Sequence, residues 1–132
     1  MRTALVTGAA RGIGAATVRA LVADGWGVVA VDRADDDPRL PYALGTRDEL
    51  EALGVPHVAG DCADAAVLAR AVALAETTYG GLDAALAVAG VVAGGVPLWE
   101  QPAAEVEAVL EVDLHAVVAL ARAAVPALLR RP

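Results

Sequence analysis

A short apolar run that stops on glycine constrains this chain more than any other feature. Thr3-Ala4-Leu5-Val6-Thr7 is followed at once by Gly8, and Gly12 and Gly14 come soon after. The run suits a buried strand. Beyond the glycines, Ile13, Val18, Leu21 and Val22 recur at helical spacing over residues 13–24, and Asp24-Gly25 ends the pattern. Val28-Val29-Ala30-Val31 is a second buried strand, closed by Asp32. Strand, glycine turn, helix, strand is a βαβ unit, which implies parallel strands and a right-handed crossover.

The rhythm continues after a break. Asp35-Asp36-Asp37-Pro38 and Leu40-Pro41 mark a loop over residues 33–46. The pattern then predicts a short helix from Asp48 to Leu53, a strand from Val55 to Ala59 and a helix over 64–79, ended by Gly80-Gly81. A fourth strand is expected from Leu82 to Val88. A long helix is expected from Ala103 to about Leu129, kinked or ended by Pro126, with Arg130-Arg131-Pro132 as a terminus or linker. Alternating strands and helices of this length predict an α/β fold, a doubly wound parallel sheet of about four strands forming one domain over residues 1–132.

Composition removes several functions. The chain of 132 residues contains no Lys, Ser, Asn or Phe, and all ten of its basic residues are Arg. A Lys Schiff base, a Ser nucleophile and a phosphate loop ending Gly-Lys-Ser/Thr are therefore excluded within it. A net charge of −7 argues against nucleic acid and anionic membrane partners. Only four aromatic residues occur, too few for a stacking platform. The single cysteine, Cys62, allows no internal disulfide, which makes the cytoplasm the expected compartment. No transmembrane helix is read, because no long apolar stretch is free of charge and glycine.

The glycine turn carries chemistry. A helix N-terminus presents unpaired N–H groups and partial positive charge, and glycine lets a phosphate approach that backbone. The spacing here is Gly-x-x-x-Gly-x-Gly, and a ligand-free turn would use glycine too. Asp32 shifts the balance: a carboxylate ending the second strand of a nucleotide-binding βαβ unit accepts hydrogen bonds from ribose hydroxyls. It would repel a 2′-phosphate, favouring NAD over NADP, while Arg33 beside it softens that preference. The plainer alternative is a loop Asp capping a turn. A β-branched side chain at position 14 is expected to abolish NAD binding with a smaller loss of fold.

Thr7-Gly8-Ala9-Ala10-Arg11-Gly12-Ile13-Gly14 resembles the signature of the short-chain dehydrogenase/reductase family. The resemblance implies a Rossmann-like fold, and an NAD-dependent enzyme passing hydride between the nicotinamide and an alcohol or carbonyl carbon of a small molecule. Gly60-Asp61-Cys62 resembles the segment after the family's third strand, which implies that Asp61 recognises the adenine amino group and that Cys62 contributes backbone. Ala87-Val88-Ala89-Gly90 resembles the strand end that normally reads Asn-Asn-Ala-Gly; Ala89 and Gly90 are kept, but Val88 replaces an Asn. Val112-Asp113-Leu114 resembles Val-Asn-Leu, whose Asn is catalytic, so Asp113 departs from the pattern. The resemblance covers only the first half of the family, since the catalytic Ser and the Tyr-x-x-x-Lys helix have no counterpart here. Tyr42 is followed four residues on by Thr46 and Tyr79 by Asp83. The 132 residues alone are therefore expected to be inactive. Leu40 to Leu50 resembles an insertion of the mycofactocin-associated branch, which implies tightly held NAD and electrons passed to an external redox carrier. In the family the long helix makes subunit contacts, implying a homo-oligomer through 103–129.

The remaining candidates have plainer readings. His57 and His115 are structural or surface residues, Cys62 is a small buried hydrophobe, Asp35-Asp36-Asp37 is a solvated loop, and no metal site is expected. Trp99 either rims a substrate pocket or anchors the start of the long helix. Two rival functions stand beside the oxidoreductase: a catalytically silent NAD- or partner-binding module, and an S-adenosylmethionine-dependent methyltransferase, against which Thr7 and the glycine spacing argue.

Overall fold

A computed structural model describes residues 1–131. Four strands, β1 (Thr3–Thr7), β2 (Gly27–Asp32), β3 (His57–Ala59) and β4 (Ala84–Leu86), form one parallel sheet in the order β3-β2-β1-β4. The helices α1 (Gly12–Ala23), α2 (Arg47–Glu51) and α3 (Ala65–Tyr79) connect them. The chain winds outward from β1 to β3 and then returns to the other side of β1. The direction of winding reverses between β1 and β4, and in such sheets a crevice opens at the carboxyl ends of the strands there.

Every residue of β1 is buried, and side-chain alternation sends its residues to two cores. Leu5, Val29 and Val31 face α3, meeting Leu68, Ala71 and Val72. Val6, Val28 and Ala30 face the opposite layer, with Val18 of α1 and Leu50 of α2. Each fully buried Leu or Val contributes roughly 1.5–3 kcal/mol over its exposed state.

The sheet is that predicted, but several elements differ in extent. β4 is shorter than residues 82–88: Leu82 is buried ahead of it, and Val88 N–H turns to the Thr7 hydroxyl at 3.2 Å instead of the ladder. α2 begins at Arg47 because Thr46 and Glu49 form a reciprocal capping box. The long helix is three pieces in one continuous rod, α4 (Ala103–Leu110), a π turn (Glu111–His115) and α5 (Ala116–Arg130). A π turn carries the same apolar spacing as its neighbours, so the sequence gives no sign of it. Pro126 does not end α5: it is exposed within four residues of the helix end, where the Arg122 carbonyl it leaves unpaired lies on an exposed residue.

By length and composition the 28-residue rod could cross a membrane. Its Leu120, Ala124 and Ala127 instead pack against the α3 side of the sheet. Arg131 is tied to the start of the chain and to the loop before β4. It donates to Asp83 Oδ1 at 2.9 Å, to the Gly80 carbonyl at 3.0 Å and to the Met1 carbonyl at 2.7 Å, while Asp83 Oδ2 accepts from Thr3 N–H at 2.7 Å. The Arg131 hydrogen bond holds the Asp83 carboxyl below its ordinary range.

Candidate functional site

The crevice is where the winding predicts it. A cavity of ≈ 270 Å³ is walled by the glycine turn, the end of β2, the 33–46 loop, Asp61-Cys62 and the segment Val88–Val91. The glycines build it in different ways. Gly8 has φ +66, and a Cβ there would stand 2.6 Å from Ala89, so β1 and β4 close tightly at their carboxyl ends. A Cβ on Gly14 would lie 1.9 Å from the Gly8 carbonyl oxygen. Position 14 thus holds the turn together, and the expectation that a larger residue there mainly costs binding is reversed: it costs the fold first. Gly12 has φ +58 with nothing within 4 Å of its Cβ direction, leaving open space over α1. No side chain caps that helix, and its N-cap residue, Arg11, turns its guanidinium away to the Ala43 carbonyl at 2.9 Å. The first-turn N–H groups have no intrahelical acceptors.

Asp32 ends β2 on the cavity wall. Its carboxylate accepts from Ala10 N–H at 3.0 Å and Ala34 N–H at 2.8 Å, so it ties the glycine turn to β2 and caps a turn as well. Asp61, just beyond the adjacent strand β3, lines the same cavity and accepts from Ala63 N–H at 2.8 Å. Cys62 is buried, and desolvation pushes its thiol up to about 11, leaving it unreactive near neutrality.

Of the residues singled out by sequence, Gly8, Arg11, Gly12, Ile13, Gly14, Asp32, Arg33, Asp61, Cys62, Ala89 and Gly90 all line this one cavity. Thr7 does not; its hydroxyl braces β1 to the segment after β4. Asp113 stands behind the wall, in the π turn, and its Oδ1 accepts from Val91 N–H at 2.8 Å. Trp99 is 85% exposed, which rules it out as a packing anchor. His57 Nδ1 pairs with the Val55 carbonyl, and His115 borders a separate shallow depression with Arg39, Glu107 and Glu111.

Sequence reasoning missed part of the wall: Asp37, Arg39, Leu44 and Gly45 also line the cavity. Asp35 and Asp36 are exposed as expected, but Asp37 is buried. Arg39 donates to it through Nε and Nη2, Arg33 through Nη1, and Arg39 Nη1 meets Glu111 at 2.6 Å. The Arg39 hydrogen bond, opposed by burial, holds the Asp37 carboxyl at about 2. The loop is a strap: Leu40 packs on Val91 and Ala108, and the Tyr42 hydroxyl donates to the Val92 carbonyl and accepts from Val92 N–H. The available signal was the spacing Arg33-x-x-x-Asp37-x-Arg39.

A parallel sheet whose reversal point joins a glycine turn, an uncapped helix N-terminus and a carboxylate at the end of β2 defines the doubly wound nucleotide-binding class. The short chain dehydrogenase family model matches residues 2–132, and the chain belongs to that family. The chain is 42% identical, over 133 residues, to 1-deoxy-11-beta-hydroxypentalenate dehydrogenase of Streptomyces avermitilis, covering 96% of this chain and 46% of that protein. It is 30% identical to 2-dehydro-3-deoxy-L-rhamnonate dehydrogenase (NAD(+)) of a Sphingomonas species, covering 97% and 49%. The structure of carveol dehydrogenase from Mycobacterium avium in complex with NAD superposes with a TM-score of 0.84 at 27% identity, covering 97% of this chain and 50% of that one. The chain spans about half the length of the curated relatives it matches. The methyltransferase alternative falls, since the family match runs through nearly the whole sequence.

Proposed function

We propose that residues 1–132 form an NAD-binding domain, the cofactor half of a short-chain oxidoreductase acting on a small-molecule alcohol or carbonyl. One observation carries this: the uncapped N-terminus of α1, with open space at Gly12, faces the cavity that Asp32 and Asp61 also line. These residues fit a dinucleotide. Gly12, Ile13 and Gly14 would hold the pyrophosphate, Asp32 the adenosine ribose, Asp61 and Cys62 the adenine, and Ala89 and Gly90 would meet it with backbone. Asp113 fixes that last segment through Val91 N–H. The Mycobacterium avium neighbour with NAD and the NAD(+)-named Sphingomonas relative support the choice of cofactor.

When bound, NAD supplies the ring that takes or gives the hydride. This chain's residues orient it but hold no acid/base pair of the family kind, because they include neither Ser nor Lys. The 132 residues alone therefore turn over no alcohol, and in isolation they serve as a silent NAD-binding module. The resemblance of Leu40 to Leu50 to the insertion of the mycofactocin-associated branch supports slow NAD exchange. The reading also carries a cytoplasmic setting, a homo-oligomer through 103–129 and no nucleic acid or membrane partner.

Calorimetric titration tests the assignment. Asp32 set against a 2′-phosphate costs up to ~4 kcal/mol at close range, less with screening. NAD is expected to bind at least roughly tenfold more tightly than NADP, a gap of ~1.4 kcal/mol. Asp32→Ala narrows the gap. Equal dissociation constants in the unmutated chain would sink the reading.

A further inference from the structure

Asp32 is not the only charge at the ribose end of the cavity. Arg33 follows it directly, and Arg39 lines the same wall. Two guanidiniums at a ribose site are what a 2′-phosphate seeks, because each presents a planar fork of donors to phosphate oxygens. A site with both free would draw NADP in spite of Asp32.

Neither is free. Asp37 is 3% exposed and accepts from Arg39 N–H at 3.0 Å, Arg39 Nε at 3.0 Å, Arg39 Nη2 at 2.7 Å and Arg33 Nη1 at 3.1 Å. The other arm of Arg39, Nη1, is held by Glu111 Oε2 at 2.6 Å. Asp32, Asp37 and Glu111 together outnumber the two arginines, so the cluster is negative by one charge.

We propose that Asp37 is a specificity-determining residue, which sets cofactor choice by holding Arg33 and Arg39 in ion pairs and so withholding them from a 2′-phosphate. This rests on the dinucleotide reading of the cavity. It divides the preference for NAD in two: Asp32 repels the extra phosphate, and Asp37 removes the cations that would welcome it. The Asp37 carboxyl, held at about 2 by its Arg39 hydrogen bond, stays ionised at any pH used for titration.

The test is calorimetric titration of the whole chain with NAD and with NADP. Asp37→Asn keeps the size of the side chain and removes its charge. It should narrow the ratio of the two dissociation constants at least about fivefold, through tighter NADP binding. Adding Arg39→Gln or Arg33→Gln to that variant should restore most of the ratio, which a mere loosening of the loop would not do. Circular dichroism establishes that each variant is folded. If Asp37→Asn does not fold, Glu111→Gln releases Arg39 Nη1 and must move the ratio in the same direction. An unchanged ratio in the folded variants, or one narrowed only by weaker NAD binding, overturns the proposal. Failure of the unmutated chain to bind NAD overturns instead the reading beneath it, and shows before any substitution is made.

Discussion

A Cβ at Gly14 would overlap the Gly8 carbonyl oxygen, whereas one at Gly12 would meet only open space. The two positions therefore separate stability from binding. Gly14→Val forces the turn apart and is expected to cost more than about 3 kcal/mol, the upper range for overpacking. Gly12→Ala strains a positive φ by roughly 1–2 kcal/mol and leaves the fold intact, yet places a methyl where a phosphate would approach. Thermal melts and NAD titration of both variants decide this; undiminished NAD affinity in Gly12→Ala would move the phosphate site elsewhere. Residues of this kind were legible because their meaning is local: a glycine turn and an Asp at a strand end are adjacent to the elements they serve. Asp37 was not legible. An acidic triplet reads as solvated, and only the path of the loop turns one of the three inward between two arginines.

At the scale of elements, β1, α1, β2 and α3 follow from local apolar periodicity, and the structure places them within a residue or two of expectation. The rod follows as well, Ala103–Arg130 against an expected Ala103 to about Leu129, but its π turn does not, and neither does the shortness of β4, which depends on how many neighbours a strand pairs with. The strap depends on the ion pairs of Asp37 with Arg33 and Arg39, which give it a pH signature. The folded-state pKa of Asp37 is lowered from 3.8 to about 2. A lowered carboxylate pKa contributes stability that is complete above the unfolded value and is lost as pH falls through the folded one. The stability difference between the unmutated chain and Asp37→Asn should therefore be constant from about pH 8 to 5 and shrink between about 4 and 2. Melting curves across that range check it, and a difference that persists undiminished at about pH 2 contradicts it.

The whole molecule leaves one side of the rod uncovered. Leu120, Ala124 and Ala127 are buried against the α3 side of the sheet, while Leu110, Leu114, Val117, Val118, Val125 and Leu129 are exposed, most at spacings of three, four and seven. That spacing makes one stripe on the outer side. Among the described residues β4 also pairs only with β1, so its other edge offers unpaired backbone groups. Covering a few hundred Å² of apolar surface at ~25 cal/mol per Å² is worth several kcal/mol, a large share of the ~5–15 kcal/mol that a domain possesses. The 132-residue chain should therefore self-associate, and light scattering at rising concentration should show dimers or larger species. Leu114→Glu with Val118→Glu places charge in the middle of the stripe and should shift the chain toward monomer without lowering its melting temperature, since both residues are exposed. Association that survives this pair of substitutions points to the β4 edge instead. A monodisperse monomer of the unmutated chain would show that neither surface drives assembly.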